Sequence, residues 1–348
     1  MRAGASGVAT RRSLPGRSGL PGWASGLGRS TRFAVLDRRA VPVALLGFLA
    51  RGGIVLILLP SAVLPSVLEI AGMTGLRTFT IAGDIHFTPW LIGAAVAITM
   101  AILAWLLLAL IVGSLADAWL VAMTLHPAPP DEAARLPLPD RRAVARLAAI
   151  RALCLVPIVA ALALASLRLY DATYLELTSP SNLSTPLVLR VIQGAADAVA
   201  VVVAVWLACE TLAAVAVRRQ ILLGHGVWRS LAAGAVQIVR KPISTLVTVA
   251  VTYAGSAVAM LATMTLTAAA FDWCRSAARA GEPIAVRLGI GDLATTRDFR
   301  PLAFAAAGVA LALAWAIALA VSGAASVWRS AAMTEEVAGA IQETDRGL

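Results

Sequence analysis

The sequence predicts an all-α protein: a polytopic bundle of six transmembrane helices. Three observations carry that prediction. Of 348 residues, 59% are hydrophobic and only 14% charged, with a mean hydropathy of +0.84; soluble domains run near 45–50% apolar and about 25% charged. The apolar residues fall in runs of about 20, long enough to cross a bilayer as helices. The basic residues gather at the ends of those runs.

Residues 1–31 are rich in Gly, Ser, Ala and Arg and predict a disordered basic cytoplasmic tail, since such a segment has too little apolar surface to offset the entropy of ordering. Arg11-Arg12 is followed by Ser-Leu-Pro-Gly-Arg rather than an apolar stretch, unlike a cleaved signal. Residues 32–330 predict the six-helix domain. From Arg32 to Ala50, Phe33, Leu36, Val41, Leu45 and Phe48 alternate with arginines, which suits an amphipathic helix in the headgroup layer.

The first span is expected at 54–70, with kinks at Pro60 and Pro65, and the second at 89–113, its helix continuing past Asp117 and Trp119. A Pro-rich breaker, His126-Pro-Ala-Pro-Pro, precedes the third span at 148–169, which contains Pro157. The fourth (187–217) leaves through Arg218 and Arg219; the fifth (243–271) follows Arg240-Lys241-Pro242; the sixth covers 302–325. Residues 331–348 form an amphiphilic cytoplasmic tail.

Orientation follows from counting Arg and Lys. Residues 1–40 hold eight, and the 125–151 and 218–241 connections five each, while acids nearly balance the five in 271–300. The positive-inside rule then puts both termini in the cytoplasm. Lys241 is the only lysine, and the Ala/Gly/Val/Arg bias fits a GC-rich bacterial genome and an inner-membrane location. The net charge of +10 is accounted for by anionic headgroups, so the expected partner is the lipid bilayer, with a cytoplasmic protein or a second copy of the chain as a further candidate, and no nucleic acid.

The chain also suggests three helical hairpins, near 41–125, 141–219 and 231–330. Each opens with a basic residue (Arg51, Arg151, Lys241), has a proline close by, and carries a tryptophan in its second helix (Trp105, Trp206, Trp315). Val-Trp-Arg-Ser occurs twice, at 227–230 and 327–330.

Ionisable groups inside spans are costly and point to function. Arg190, Gln193 and Asp197 fall on one helical face and make a candidate intramembrane polar site; the alternative is an internal pair that fixes packing. Glu210, like Asp117, sits near a helix C-terminus, where the dipole does not favour an acid, so each faces cytoplasmic water or pairs with basic loop residues. Ser244, Thr248, Thr252 and Ser256 recur every four residues, a hydroxyl ridge that either lines a polar path or lets helices approach closely. Around the 227–239 segment, Trp228, Arg229, Arg240 and Lys241 form a candidate cytoplasmic docking patch.

No catalytic set is expected. HExxH, GxSxG and a phosphate-binding loop are absent, and the three histidines are scattered. Cys154, Cys209 and Cys274 lack metal-ligand or disulfide spacing, so no metal and no cofactor is expected.

The six-span layout, with Val227-Trp-Arg-Ser-Leu leading to Val239-Arg-Lys-Pro242, resembles the helical membrane domain fused to some bacterial glycerophosphodiester phosphodiesterases. The likeness spans about 40–330 and lacks their catalytic barrel, so it implies a stand-alone membrane module and transfers no catalytic residue. The expected function is a non-enzymatic membrane component of a transport or envelope assembly. The rivals are a structural scaffold, or an intramembrane lipid-active enzyme using Glu210 or Asp117.

Overall fold

The computed structural model describes residues 22–61, 89–125, 140–179, 181, 187–279 and 300–345. Among them the chain is all helical: α1 (Gly22–Leu36), the kinked α2 (Ala40–Ser61), α3 (Pro89–Leu125), α4 (Arg141–Thr178), α5 (Leu187–Gly194), α6 (Ala196–Leu223), α7 (Val227–Arg240), α8 (Pro242–Arg279) and α9 (Arg300–Asp345). Six of these (α2, α3, α4, α6, α8 and α9) are long and apolar enough to cross a membrane.

Several boundaries differ from the sequence expectation, each for a local reason. The chain is helical from Gly22, inside the segment expected to be disordered, because α1 packs along α9 and Arg29 bonds Glu335 at 2.7 Å. The first apolar helix starts at Ala40 rather than at residue 54, and the expected span to residue 70 runs outside the described residues. Among the described residues its kink falls at Arg51-Gly52, with Pro60 in a closing 3-10 turn, and Pro65 lies outside the described residues. Gly52 has φ +94°, a left-handed conformation that glycine adopts without steric cost. At the other end of the chain, residues 331–345, expected as a tail, continue α9 without a break, with Ala331, Ala332, Met333 and Val337 buried.

The helices outrun the bilayer. α3 has 37 residues and α9 46, roughly 55 and 70 Å at 1.5 Å per residue, against a hydrocarbon core of about 30 Å. At one end, here called the basic end, α1, α7 and the C-terminal turns of α3, α6 and α9 meet. Gly224 (φ +66°) closes α6 by donating its N–H to Gln220 O at 2.9 Å, and Pro242 opens α8 after the α7 turn.

Burial concentrates at that same end. Ala118, Leu147, Ile150, Ala216 and Val217 join α3, α4 and α6; Ala40, Ala44, Leu120 and Val327 join α2, α3 and α9; Val215, Val249, Met333 and Val337 join α6, α8 and α9. Toward the other end the same helices expose long apolar side chains, such as Ile98 and Met100 on α3, Leu164 on α4 and Val258 on α8. In lipid such residues need no protein partner.

Small residues set the closest approaches. A Cβ on Gly47 would lie 2.9 Å from Ala116, one on Gly323 2.8 Å from Val41, and one on Gly255 2.5 Å from the Trp328 ring. These glycines let α2 meet α3 and α9, and let α8 receive Trp328. The hydroxyl ridge of α8 belongs to this packing. Thr248 and Thr252 are buried along α9, Thr252 returns its hydroxyl to Thr248 O at 2.8 Å, and Ser244 donates to Glu336 at 2.6 Å.

The three-hairpin repeat is not confirmed. Arg51 and Arg151 converge on one carboxylate, whereas Lys241 pairs with Glu343 on α9. The two Val-Trp-Arg-Ser segments occupy unlike places: Trp228 is exposed on α7, and Trp328 packs over Gly255.

Candidate functional site

Between the three apolar clusters of the basic end lies a group of charges drawn from five helices. The α2 kink turns Arg51 across Gly113 of α3: its Nη2 donates to Gly113 O at 2.6 Å and lies 2.7 Å from Asp117 Oδ2. Glycine at 113 leaves room for this, since a Cβ there would sit 2.7 Å from Arg51 Nε and the guanidinium would have to shift. Arg151, three turns into α4, donates Nε to the same Asp117 oxygen at 2.9 Å, with Nη2 also bonded to it. Asp117 is 4% exposed, so a buried carboxylate is shared by two guanidiniums.

Glu210 of α6 stands 3.8 Å from Arg151 Nη1, with Tyr253 of α8 beside its carboxylate. Two turns further along α6, Arg218 is buried and meets only neutral oxygens. Nε reaches Thr334 Oγ1 at 3.2 Å, Nη1 reaches Ala214 O at 2.9 Å, and Nη2 reaches Ser330 O and Oγ at 3.1 and 3.2 Å. Arg329 of α9 stacks over the Tyr253 ring at 4.9 Å, a cation–π contact.

These side chains, with Phe48, Thr211, Val249, Ser326 and Met333 among others, enclose a cavity of about 30 Å³. That is room for about two waters. Four guanidiniums (Arg51, Arg151, Arg218 and Arg329) face two carboxylates (Asp117 and Glu210) across it. Among the described residues no carboxylate forms an ion pair with Arg218 or Arg329. Arginine holds its proton under any physiological condition, so the cavity wall carries an excess of two positive charges. What the arrangement can do chemically is bind an anion.

The sequence-derived site is only partly assembled. Arg190 does not reach Asp197, because the helix breaks at Gly194–Ala195 between α5 and α6. Its guanidinium instead meets Glu176 of α4 at 2.8 Å, at the end opposite the cavity, and Ser181 bonds the same carboxylate. Gln193 and Asp197 are exposed. Glu210 lines the cavity, whereas Ser244, Thr248, Thr252 and Ser256 lie in the α8–α9 seam.

Of the docking residues, Trp228, Arg229 and Arg240 are exposed on α7 and Lys241 is tied to Glu343. The buried face of α7 is Ser230, Gly234 and Gln237, flanked by Val227, Leu231 and Ile238, while Ala235 is exposed. Gln237 accepts from Arg219 at 2.8 Å.

Sequence reasoning noted Arg51, Arg151 and Arg218 only as helix-entrance or exit charges, and passed over Tyr253 and Arg329. The available signal was the depth of Arg329 within an apolar helix beside a tryptophan. Among the described residues no group of three His, Cys, Asp or Glu side chains is placed to hold a metal ion. Compared with protein-family models, with curated proteins and with solved structures, the chain gives no match.

Proposed function

We propose that this chain is a non-enzymatic, multi-pass component of a transport or envelope assembly in a bacterial inner membrane, with both termini in the cytoplasm and its working part at the basic end. One observation carries the reading: the charged side chains of five helices converge on one cavity at that end. A protein whose buried charges served only to hold helices together would favour matched pairs, because an unpaired buried charge costs several kcal/mol. Here the cations outnumber the acids. The two carboxylates that a lipid-active enzyme would need as acid or base are engaged by guanidiniums, Asp117 by two of them. That favours binding over catalysis.

Two experiments test the reading. With Cys154, Cys209 and Cys274 replaced by serine, single cysteines at Arg229 and Ser181 should react with an impermeant maleimide from opposite faces of the membrane, Arg229 from the cytoplasm. Labelling of Arg229 from the periplasm would reverse the orientation and end the proposal as stated. Purification in mild detergent followed by mass spectrometry should return a stoichiometric partner dependent on the exposed face of α7. A monodisperse chain without partner would sink the assembly and leave a self-contained membrane protein.

A further inference from the structure

We propose that the cavity at the basic end is a binding site for a phosphate oxyanion, presented either by a lipid headgroup or by a free phosphate. The inference names what the site takes and stands whether or not a partner protein is found.

Charge is the first argument. A desolvated, net-cationic wall is unstable without a counter-charge, and the described protein residues provide only Asp117 and Glu210 against Arg51, Arg151, Arg218 and Arg329. The excess of two positive charges suits an oxyanion: a lipid phosphodiester, with one negative charge, offsets half of it, and free phosphate, with nearly two, offsets almost all of it. Second, the donors are guanidiniums, whose planar forks fit phosphate oxygens in pairs of parallel hydrogen bonds. Third, donor capacity remains. Among the described residues Arg329 makes no hydrogen bond or ion pair and is held by its stacking on Tyr253. By contrast Nε, Nη1 and Nη2 of Arg218 are each already bonded, to Thr334, Ala214 and Ser330. Arg51, Arg151 and Arg218, already bonded to Gly113, Asp117 and neutral oxygens, therefore supply mainly field, while Arg329 supplies the contact.

Size and access agree. About 30 Å³ admits the anionic oxygens and excludes a bulky headgroup. The cluster also reaches the surface, since the Arg51 and Glu210 side chains keep 26% and 23% of their area exposed. The oxygens would enter the cavity while the rest of the ligand stays outside.

The test uses the full-length protein in detergent and in nanodiscs. Inorganic phosphate, titrated at constant ionic strength against chloride, is read by thermal stability. Retention of phosphatidylglycerol over phosphatidylcholine is read by native mass spectrometry. Stabilisation by phosphate supports a free-ion site; retention of one phosphatidylglycerol without a phosphate effect supports a headgroup site. Arg329→Gln, which breaks no ion pair among the described residues, should weaken the observed binding about tenfold or more, from the loss of a charge-assisted bond. Arg329→Lys should recover part of it.

Equal response of the wild type to phosphate and chloride, together with no preference for phosphatidylglycerol, would overturn the proposal. So would undiminished binding in Arg329→Gln. If that variant does not accumulate, the wild-type comparison of phosphate with chloride and of the two lipids decides alone.

Discussion

Replacing Asp117 by Asn keeps the shape of the side chain and removes its charge. The structure sets the size of the effect. Asp117 Oδ2 accepts from Arg51 at 2.7 Å and from Arg151 at 2.9 Å, and almost no water reaches it to compensate the loss. Breaking a buried pair by removing one partner costs about 3–5 kcal/mol. Here two cations lose their shared anion, and the excess charge of the cavity rises from two to three, which favours the upper part of that range. Glu210→Gln is the control. Its nearest guanidinium nitrogen is 3.8 Å away and its side chain is 23% exposed, so about 1 kcal/mol or less is expected. The double variant D117N/R51Q returns the excess to two and should be more stable than the sum of its single effects, by roughly 0.5–3 kcal/mol of coupling. Denaturation in mixed micelles followed by circular dichroism measures the wild type, D117N, R51Q, the double variant and E210Q. Equal losses for D117N and E210Q, or strict additivity in the double variant, would refute the account of a shared buried carboxylate.

Four further outcomes follow from individual residues. Gly52→Ala meets no steric neighbour but must hold φ near +94°, and should cost about 1–2 kcal/mol in the same assay; no loss would mean that the α2 kink relaxes. Gly323→Ala presses on Val41 and should destabilise by about 1–3 kcal/mol, whereas Gly308→Ala, with open space around it, should be neutral or mildly stabilising; the reverse order would contradict the α2–α9 packing. The His225 imidazole, in the α6–α7 turn, is lowered below its ordinary 6.5 by desolvation and by Arg229 and Arg219. The folded state thus binds that proton more weakly than the unfolded state, so stability rises with pH between the depressed value and 6.5 and is flat above it. An NMR titration should give a midpoint below 6.5 that moves upward in Arg229→Gln, and a midpoint at or above 6.5 would refute it. Finally, Asp197→Asn should shift stability by no more than about 0.5 kcal/mol, because Asp197 is exposed and makes no ion pair among the described residues; a large loss would restore a structural role for it.

The helical class and the six spans were legible because hydropathy is a sum over some 20 residues and survives local error. The site was not, for reasons visible at particular positions. Seven residues separate Arg190 from Asp197, which puts them on one face only if the helix is continuous, and Gly194–Ala195 interrupts it. Tyr253 and Val249 line the cavity from the face of α8 adjoining the hydroxyl ridge. Periodicity picked out the ridge, but packing against α9 decided which face met the charges. Arg51 and Arg151 lie a hundred residues apart, and no local pattern says that both turn toward Asp117. The paired Val-Trp-Arg-Ser segments make the same point: Trp228 and Arg229 are exposed on α7, whereas Trp328 packs over Gly255 and Arg329 lines the cavity, according to what each helix packs against.

The uneven burial of the six long helices has a mechanical consequence. Among the described residues they are packed together at the basic end and expose long apolar side chains toward the other. A change in bilayer thickness costs only fractions of a kcal/mol per ångström of mismatch, and it acts where the side chains have least protein to hold them. The loosely held halves can therefore tilt and spread with the surrounding lipid while the fastened end keeps its geometry, so the molecule deforms like a brush gripped at its ferrule.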